Sequence, residues 1–364
     1  MEGFLFLHKQ QTMNKSEKIA QFDPNGPGQL GSNLFGLPFD AEESEIVIIP
    51  VPWEVTVSYA GGTANGPSSI LEASLQVDLF DPDAPEAWKS GIHLLEENAE
   101  IKEQSLILRD RAEKHIESLA TGVPQEHENE LLTSIEQACE NMNAFVASEC
   151  ENWLRAGKIV GLLGGDHSTP LGFMQALSKH YPSFGILQID AHMDLRIAYE
   201  GFTYSHASIM YNALKINQVS KLVQVGIRDY CEEEIQVMRN EGNRVKTYFD
   251  DQLKFDAYQG KLWHNQVNEI IAQLPQHVYV SFDIDGLDPK LCPNTGTPVA
   301  GGLEYHQAIY LLNALAKSGK EIIGFDLNEV APGEDEWDAN VGARLLFKLC
   351  VFAGISKGLF SAAR

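Results

Sequence analysis

Apolar residues cluster in short runs separated by polar, helically spaced stretches, and this alternation repeats along most of the chain. From Glu45 onwards, Ile46-Val47-Ile48-Ile49 reads as a buried first strand. Runs over 159–163, 184–189, 221–227, 245–249, 277–282 and 321–325 read as further strands, because continuous apolar stretches of five to seven residues suit strands buried on both faces. Between them lie amphipathic patterns with apolar residues three and four apart. The longest, Leu131 to Arg155, ends before Gly157 and predicts a helix closed by a C-terminal glycine. A loop over Tyr59–Pro67 leads into a helix beginning near Ser68. Strand–helix alternation of this kind predicts an α/β fold, a three-layer α/β/α sandwich with a mostly parallel central sheet. Two regions break the pattern. The polar first forty-four residues, with the turn-rich Pro24-Asn25-Gly26-Pro27-Gly28, are expected to form an N-terminal arm across the surface or onto a neighbouring subunit. The charged stretch from Asp81 to Gln104 is expected to be a loop, inserted or at a subunit contact. Residues 45–364 are expected to form a single catalytic domain, with no internal repeat.

Three strand ends carry acidic and histidine residues: Gly164-Gly165-Asp166-His167-Ser168, Asp190-Ala191-His192-Met193-Asp194, and Ser281-Phe282-Asp283-Ile284-Asp285-Gly286-Leu287-Asp288-Pro289. Carboxylates beside apolar strands are costly to bury unless cations neutralise them. Asp190, His192 and Asp194 alternate, so on an extended backbone they point to one side, and Asp283 and Asp285 repeat the arrangement. Oxygen and imidazole donors without thiolate suit Mn²⁺, Fe²⁺, Ni²⁺ or Zn²⁺ better than a cysteine-rich zinc site, and calcium rarely recruits histidine. Two ions about 3.5–4 Å apart, sharing a carboxylate, are a recurrent hydrolytic device. Every such residue lies at the carboxyl end of a predicted strand, where open α/β sheets place their sites.

In this order the three segments resemble the signature of the ureohydrolase superfamily, which contains arginase, agmatinase, formimidoylglutamase, guanidinobutyrase and guanidine hydrolase. Gly226-Ile227-Arg228, Gly296-Thr297-Pro298 with Gly301-Gly302-Leu303, and Glu329-Val330-Ala331-Pro332 extend the resemblance, which runs from Ile46 to the C-terminus. It implies an arginase-like fold and a pair of Mn²⁺ ions per subunit, with Ni²⁺ as a replacement. His167 and Asp194 would ligate one ion, His192 and Asp285 the other, and Asp190 and Asp283 would bridge. It further implies that His206 relays a proton to the departing amine and that Glu329 grips the amidine nitrogens. The resulting activity is cleavage of a C–N bond in a linear amidine or guanidino compound, releasing urea. His167 also fits a helix entrance, Asp166 a residue that orients a ligand, and Asp288 a turn cap before Pro289.

The substrate is read from loops. Leu195-Arg196-Ile197-Ala198-Tyr199-Glu200-Gly201-Phe202-Thr203 does not match arginase's Asn- and Ser-bearing loop. Asp194-Leu195-Arg196 resembles formimidoylglutamase, yet that family usually lacks a histidine equivalent to His206. The general pattern is closest to agmatinase, so a small cationic guanidino substrate is expected, agmatine first. Aromatic residues, including Trp53, Tyr59, Tyr199, Phe202, Tyr204 and Trp337, leave guanidine hydrolase as an alternative. A catalytically inactive metal-binding regulator would be expected to have lost ligands or Glu329. A metal-dependent deacetylase, sharing the broad fold, would hold one ion instead of two.

Composition refines this picture. With 364 residues and 44% hydrophobic content the chain can bury a large core. A formal charge of −24 opposes nucleic acid and anionic membrane as partners and favours cationic ligands through long-range steering. No run approaches the roughly 18 apolar residues of a membrane span. The Gly3–Leu7 run is short for a signal-peptide core, Met13 is an alternative start, and a cytoplasmic location is expected. Five scattered cysteines without a C-x-x-C pair predict reduced thiols. The resemblance implies a homo-oligomer, a trimer or hexamer.

Overall fold

A computed structural model describes residues 13–123 and 128–360. The Gly3–Leu7 run, His8 and His127 lie outside the described residues. Eight strands, β1 (Ile46–Val51), β2 (Ile92–Leu94), β3 (Ile159–Gly164), β4 (Phe184–Ile189), β5 (Val219–Ile227), β6 (Val245–Phe249), β7 (His277–Asp283) and β8 (Glu321–Asn328), form one sheet in the order β2-β1-β3-β8-β7-β4-β5-β6. Every neighbouring pair is parallel.

Alternate strand residues enter two separate cores, as the two-residue period of a strand requires. Ile48, Leu163, Leu187 and Val223 pack into one, together with the helices Tyr305–Lys317 and Trp337–Ser356. Their neighbours Ile49, Leu162, Ile186 and Leu222 pack into the other, with Glu128–Arg155 and Leu171–His180. This is the expected α/β/α sandwich. Trp337–Ser356 is long and apolar enough by composition to cross a membrane, but 72% of its apolar window is buried inside the protein.

The pattern-breaking regions are more ordered than the sequence suggests. Asp81–Gln104 is no simple loop: it contains β2, which pairs in parallel with β1, and it ends within the helix Ala99–Thr121. Asp81 itself is buried and ion-pairs with Lys348. Three-residue β2 alternates apolar, polar, apolar, too short a run to stand out among the charges around it. Within the N-terminal segment, Leu34, Phe35, Leu37 and Phe39 are buried in the chain's own core, and Phe35 meets Phe347 edge-on at 5.1 Å. These apolar residues lack periodicity because they sit in a turn and extended chain, which hides them from pattern analysis. The helix expected near Ser68 begins at Gly66, and the one expected from Leu131 begins at Glu128.

Candidate metal centre and active site

The four central neighbours in the sheet, β3, β8, β7 and β4, each deliver residues to one place beyond their carboxyl ends. His167 follows β3; Asp190, His192 and Asp194 follow β4; Asp283 closes β7 with Asp285 just after; Glu329 follows β8. His167, Asp190, Asp194, Asp283, Asp285 and Glu329 are buried, and His192 is partly so.

Short-range backbone chemistry fixes each carboxylate. Asp190 Oδ1 accepts the N–H of His192 at 2.6 Å, and Asp283 Oδ1 accepts that of Asp285 at 2.8 Å, the two-residue turn typical of aspartate. Asp285 Oδ1 accepts the N–H of Ala191 at 2.9 Å, joining the β7 turn to the β4 turn. In each case the other oxygen is left facing inward. His167 Nδ1 lies 3.0 Å from Asp190 Oδ2, 3.0 Å from Asp194 Oδ2 and 3.3 Å from Asp283 Oδ2. His192 Nδ1 lies 3.0 Å from Asp285 Oδ2 and 3.6 Å from Asp190 Oδ1. Two donor groups result, His167–Asp190–Asp283 and Asp190–His192–Asp285, each with its ligand atoms within 4.8 Å of one another, and Asp190 belongs to both.

These residues fit a pair of divalent cations. The donors are hard oxygens and imidazole nitrogens, four carboxylates face the pair, and His167 Nδ1 and Asp285 Oδ2 are buried without a hydrogen-bond partner. The ring of His167 is correctly turned for such a role. Its Nε2 lies 2.9 Å from Ser281 Oγ, and Ser281 donates to Asp326 Oδ1 at 3.1 Å, so Ser281 accepts from Nε2–H and leaves Nδ1 for the centre.

Without cations, the electrostatics register the crowding. Burial pulls the His167 imidazole down, but Asp190, Asp194 and Asp283 push its pKa well above the ordinary value. Burial and the neighbouring Asp190 raise Asp194 to about 8. Burial, then Asp285 and Asp190, raise Asp283 strongly. Burial opposes ionisation of Asp190 too, yet the two histidines hold it below the usual carboxylate range. Asp194 and Glu329 both have left-handed backbones, φ 55° and 63°, a conformation costing on the order of 1–3 kcal/mol for a non-glycine residue and concentrated at functional sites.

Glu329 Oε1 accepts the N–H of His167 at 2.8 Å, and its backbone N–H donates to Gly165 O at 2.8 Å. Gly165 is required because a Cβ there would overlap the Trp53 carbonyl. Asp166 lies outside both donor groups, its Oδ1 taken by Ser168, and Asp288 Oδ1 accepts the Lys290 N–H at 3.1 Å. Asp288 thus caps a turn as expected, whereas Asp166 bonds Ser168 rather than any of the donors it was expected to orient.

Above the donors lies a cavity of about 400 Å³, whose wall includes Tyr59, His192, Arg196, Tyr199, His206 and Asp229. His206 is half-buried, with Nε2 3.5 Å from Ser58 Oγ and Nδ1 3.4 Å from Ser205 Oγ. Burial, then the positive His192, push its pKa down to about 3, so its imidazole is neutral at physiological pH. Arg196 lies over the Tyr199 ring at 4.5 Å.

Several supporting roles escaped the sequence reading, including that of Arg228, legible there only as part of a motif. Glu234 accepts the N–H groups of Leu195 at 3.1 Å and Cys231 at 2.9 Å, holding the loop after Asp194. Glu54 accepts from Gly62 at 2.6 Å and Ala64 at 3.2 Å, holding the loop before Gly66. Arg228 donates to the carbonyls of Asp285 at 2.7 Å and Val299 at 2.8 Å, tying the β7 turn to the cavity wall. Gln188, Ser281 and Asp326 lie inside strands. Their only signal was polarity within otherwise apolar runs.

Fold and donors together define a metal-dependent hydrolase built on the carboxyl edge of a parallel sheet. The chain belongs to the arginase family, whose model matches residues 44–351, and thus to the ureohydrolase superfamily of metal-dependent hydrolases. It is 31% identical over 320 residues to the N(1)-aminopropylagmatine ureohydrolase of Thermus thermophilus, spanning 88% of this chain and 94% of that enzyme. It is 30% identical over 298 residues to the agmatinase of Bacillus anthracis, spanning 82% and 87%. The crystal structure of agmatine ureohydrolase of Thermoplasma volcanium superposes with a TM-score of 0.68 at 23% identity, covering 93% of this chain and 98% of that one, a likeness of fold.

Proposed function

We propose that this chain hydrolyses a cationic guanidino compound to urea and an amine, with agmatine the first candidate. The observation that carries the reading is the pair of donor groups sharing Asp190, which reach the cavity through His192 and Asp194 in its lining. In this reading His167 and Asp194 hold one cation, His192 and Asp285 the other, and Asp190 and Asp283 bridge. Mn²⁺ is the expected metal, with Ni²⁺ able to replace it. The four carboxylates balance two divalent charges. When bound, the cations supply Lewis acidity, which makes water nucleophilic near neutral pH and stabilises developing negative charge.

The chain's own side chains do the rest. Glu329 Oε2 accepts hydrogen bonds from the amidine N–H groups, while Oε1 stays on the His167 N–H. Burial holds Glu329 well above the ordinary carboxyl pKa, followed by repulsion from Asp166, and a cationic amidine restores the carboxylate. Neutral His206 accepts a proton and returns it to the departing nitrogen, which leaves as an amine because an amide anion cannot.

Three features support a cationic tail: the chain's negative charge, the exposed Asp229 at the cavity wall, and relatives named for agmatine-type substrates. A second reading, a carboxylate-bearing substrate such as formimidoylglutamate, is favoured by one observation, the guanidinium of Arg196 in the same wall. We further infer a cytoplasmic homo-oligomer, trimer or hexamer, in which residues 45–364 form the catalytic domain; the expected arm over 1–44 gives way at Leu34, Phe35, Leu37 and Phe39, which pack into that domain's core. Urea release should be measured on the Mn²⁺-loaded protein with agmatine, arginine, guanidinobutyrate, guanidinopropionate and guanidine, and formamide release with formimidoylglutamate. Agmatine should have the highest kcat/KM; arginine or formimidoylglutamate in first place would overturn the assignment.

A further inference from the structure

A row of polar residues crosses the sheet just below the donors. Thr247 on β6, Gln224 on β5, Gln188 on β4, Ser281 on β7 and Asp326 on β8 are successive register partners on five adjacent strands. All five are buried, and four have no accessible surface. Strands covered by helices on both faces are normally apolar, and each buried polar group costs free energy unless it is hydrogen-bonded. A row of five therefore calls for a physical reason.

From Thr247 through Gln224 and Gln188 the hydrogen bonds run in one direction, toward the metal centre, while Ser281 donates the other way, to Asp326. Thr247 Oγ1 donates to Gln224 Oε1 at 2.7 Å. Gln224 Nε2 donates to Gln188 Oε1 at 2.7 Å and to the Met193 carbonyl at 2.7 Å. Gln188 Nε2 donates to Asp190 Oδ2 at 2.8 Å and to the His192 carbonyl at 3.2 Å. Neither amide can be turned over. Reversing Gln224 would set its oxygen against the Met193 carbonyl, and reversing Gln188 would set its oxygen against both the His192 carbonyl and the Asp190 carboxylate. Asp190 Oδ1 is already held by the His192 N–H at 2.6 Å. One donor on each oxygen fixes the plane of the carboxylate that both donor groups share.

We propose that Gln188, clamped through Gln224 and Thr247, is a positioning residue that sets the orientation of Asp190 and so the affinity of the centre for both cations. The proposal rests on the metal reading above and deepens it. Gln188 touches neither substrate nor cation; it acts through Asp190. Loss of a partner that orients a ligand typically costs about 10- to 100-fold in metal affinity.

The test is calorimetric titration of the metal-free full-length protein with Mn²⁺, with the electron paramagnetic resonance spectrum of the loaded form as a second readout. Gln188→Leu should weaken Mn²⁺ binding by about 10- to 100-fold and alter the coupled two-ion spectrum. Thr247→Val removes only the first donor of the chain and should weaken binding by roughly two- to fivefold. Thr247→Ser, which keeps the hydroxyl, should retain wild-type affinity whether or not Gln188→Leu folds. In a Gln188→Leu background, Thr247→Val should have no further effect. Unchanged affinity and spectrum in folded Gln188→Leu would overturn the proposal, as would equal affinities for Thr247→Val and Thr247→Ser. Wild-type protein that binds fewer than two ions would sink the metal reading and this inference together, whereas two ions in the wild type with unaffected variants would sink the positioning role alone.

Discussion

The floor and the wall of the cavity are built in contrasting ways. The floor comes from the ends of four central strands, where backbone N–H groups pin Asp190, Asp283 and Asp285 and where all donors but His192 are buried. The wall comes from loops: 58–59, 196–207, 229–230 and 297–299. It carries the exposed Tyr59 and Asp229 and the half-buried Arg196. Strand ends cannot shift without disturbing a packed sheet, whereas loops tolerate change at little cost. In the proposed reading the floor would specify the reaction class, and the wall the substrate within it.

That contrast breaks first at the floor. Asp190→Ala or Asp283→Ala removes a ligand proposed for both cations and should abolish urea release together with metal binding, checked by activity and metal analysis on the same sample. Retention of two ions by either variant would contradict the bridging role. The next effect lies at the boundary. His206→Ala should keep both ions while losing on the order of 10²–10⁴ in kcat, the usual scale of general acid–base catalysis. Because His206 is held neutral, with a pKa near 3, the ratio of wild-type to variant rates should stay flat between about pH 6 and 9. A ratio that collapses across that range would assign the proton relay elsewhere.

A smaller effect belongs to the wall. If Arg196 binds a substrate carboxylate, Arg196→Ala should lower kcat/KM by about 10- to 100-fold on guanidinobutyrate or formimidoylglutamate and leave agmatine little changed. Equal losses on all substrates would make Arg196 a structural partner of Tyr199. The smallest effect is on stability. Asp194 has a folded pKa near 8, above its unfolded value near 4, and His167 is also raised, so both contribute stability that is present in acid and lost as pH rises. The metal-free protein should lose thermal stability between about pH 4 and 8. Mn²⁺ should raise its Tm more at pH 8 than at pH 6, since protons compete for the same donors at the lower value. A Tm increase larger at pH 6 would contradict the donor assignment.

The same contrast explains what the sequence reveals. Asp190, His192, Asp194, Asp283 and Asp285 are legible because acidic and histidine residues cluster directly after apolar runs, as His167 does, but strand alternation is not what aligns them: of the five only Asp283 lies in a strand, Asp194 is left-handed and Asp285 sits in the 3-10 turn Ile284–Gly286. Glu54 and Glu234 are not legible, and Arg228 only as part of its motif and not in its role, since each acts on backbone groups brought near only by folding, for Arg228 as far as Val299. The end of β8 was missed because Asp326 and Asn328 interrupt the apolar pattern, although both are fully buried and Asp326 accepts from Ser281. Gln188 and Gln224 were missed for a related reason: a polar residue in a strand acquires meaning only from its cross-strand neighbour. Edge strand β2 and the buried Leu34–Phe39 segment depend on tertiary packing without periodicity.

In the proposed reading two cations are held between shared carboxylates, Asp190 and Asp283, and Asp190 is the one that both donor groups contain. The most direct measurement is the metal content of dialysed, Mn²⁺-loaded wild-type and Asp190→Ala protein, determined by elemental analysis against protein concentration. Two ions per chain in the wild type and loss of both in the variant are expected; one ion per wild-type chain, or two retained after Asp190 is removed, would contradict the shared-ligand pair.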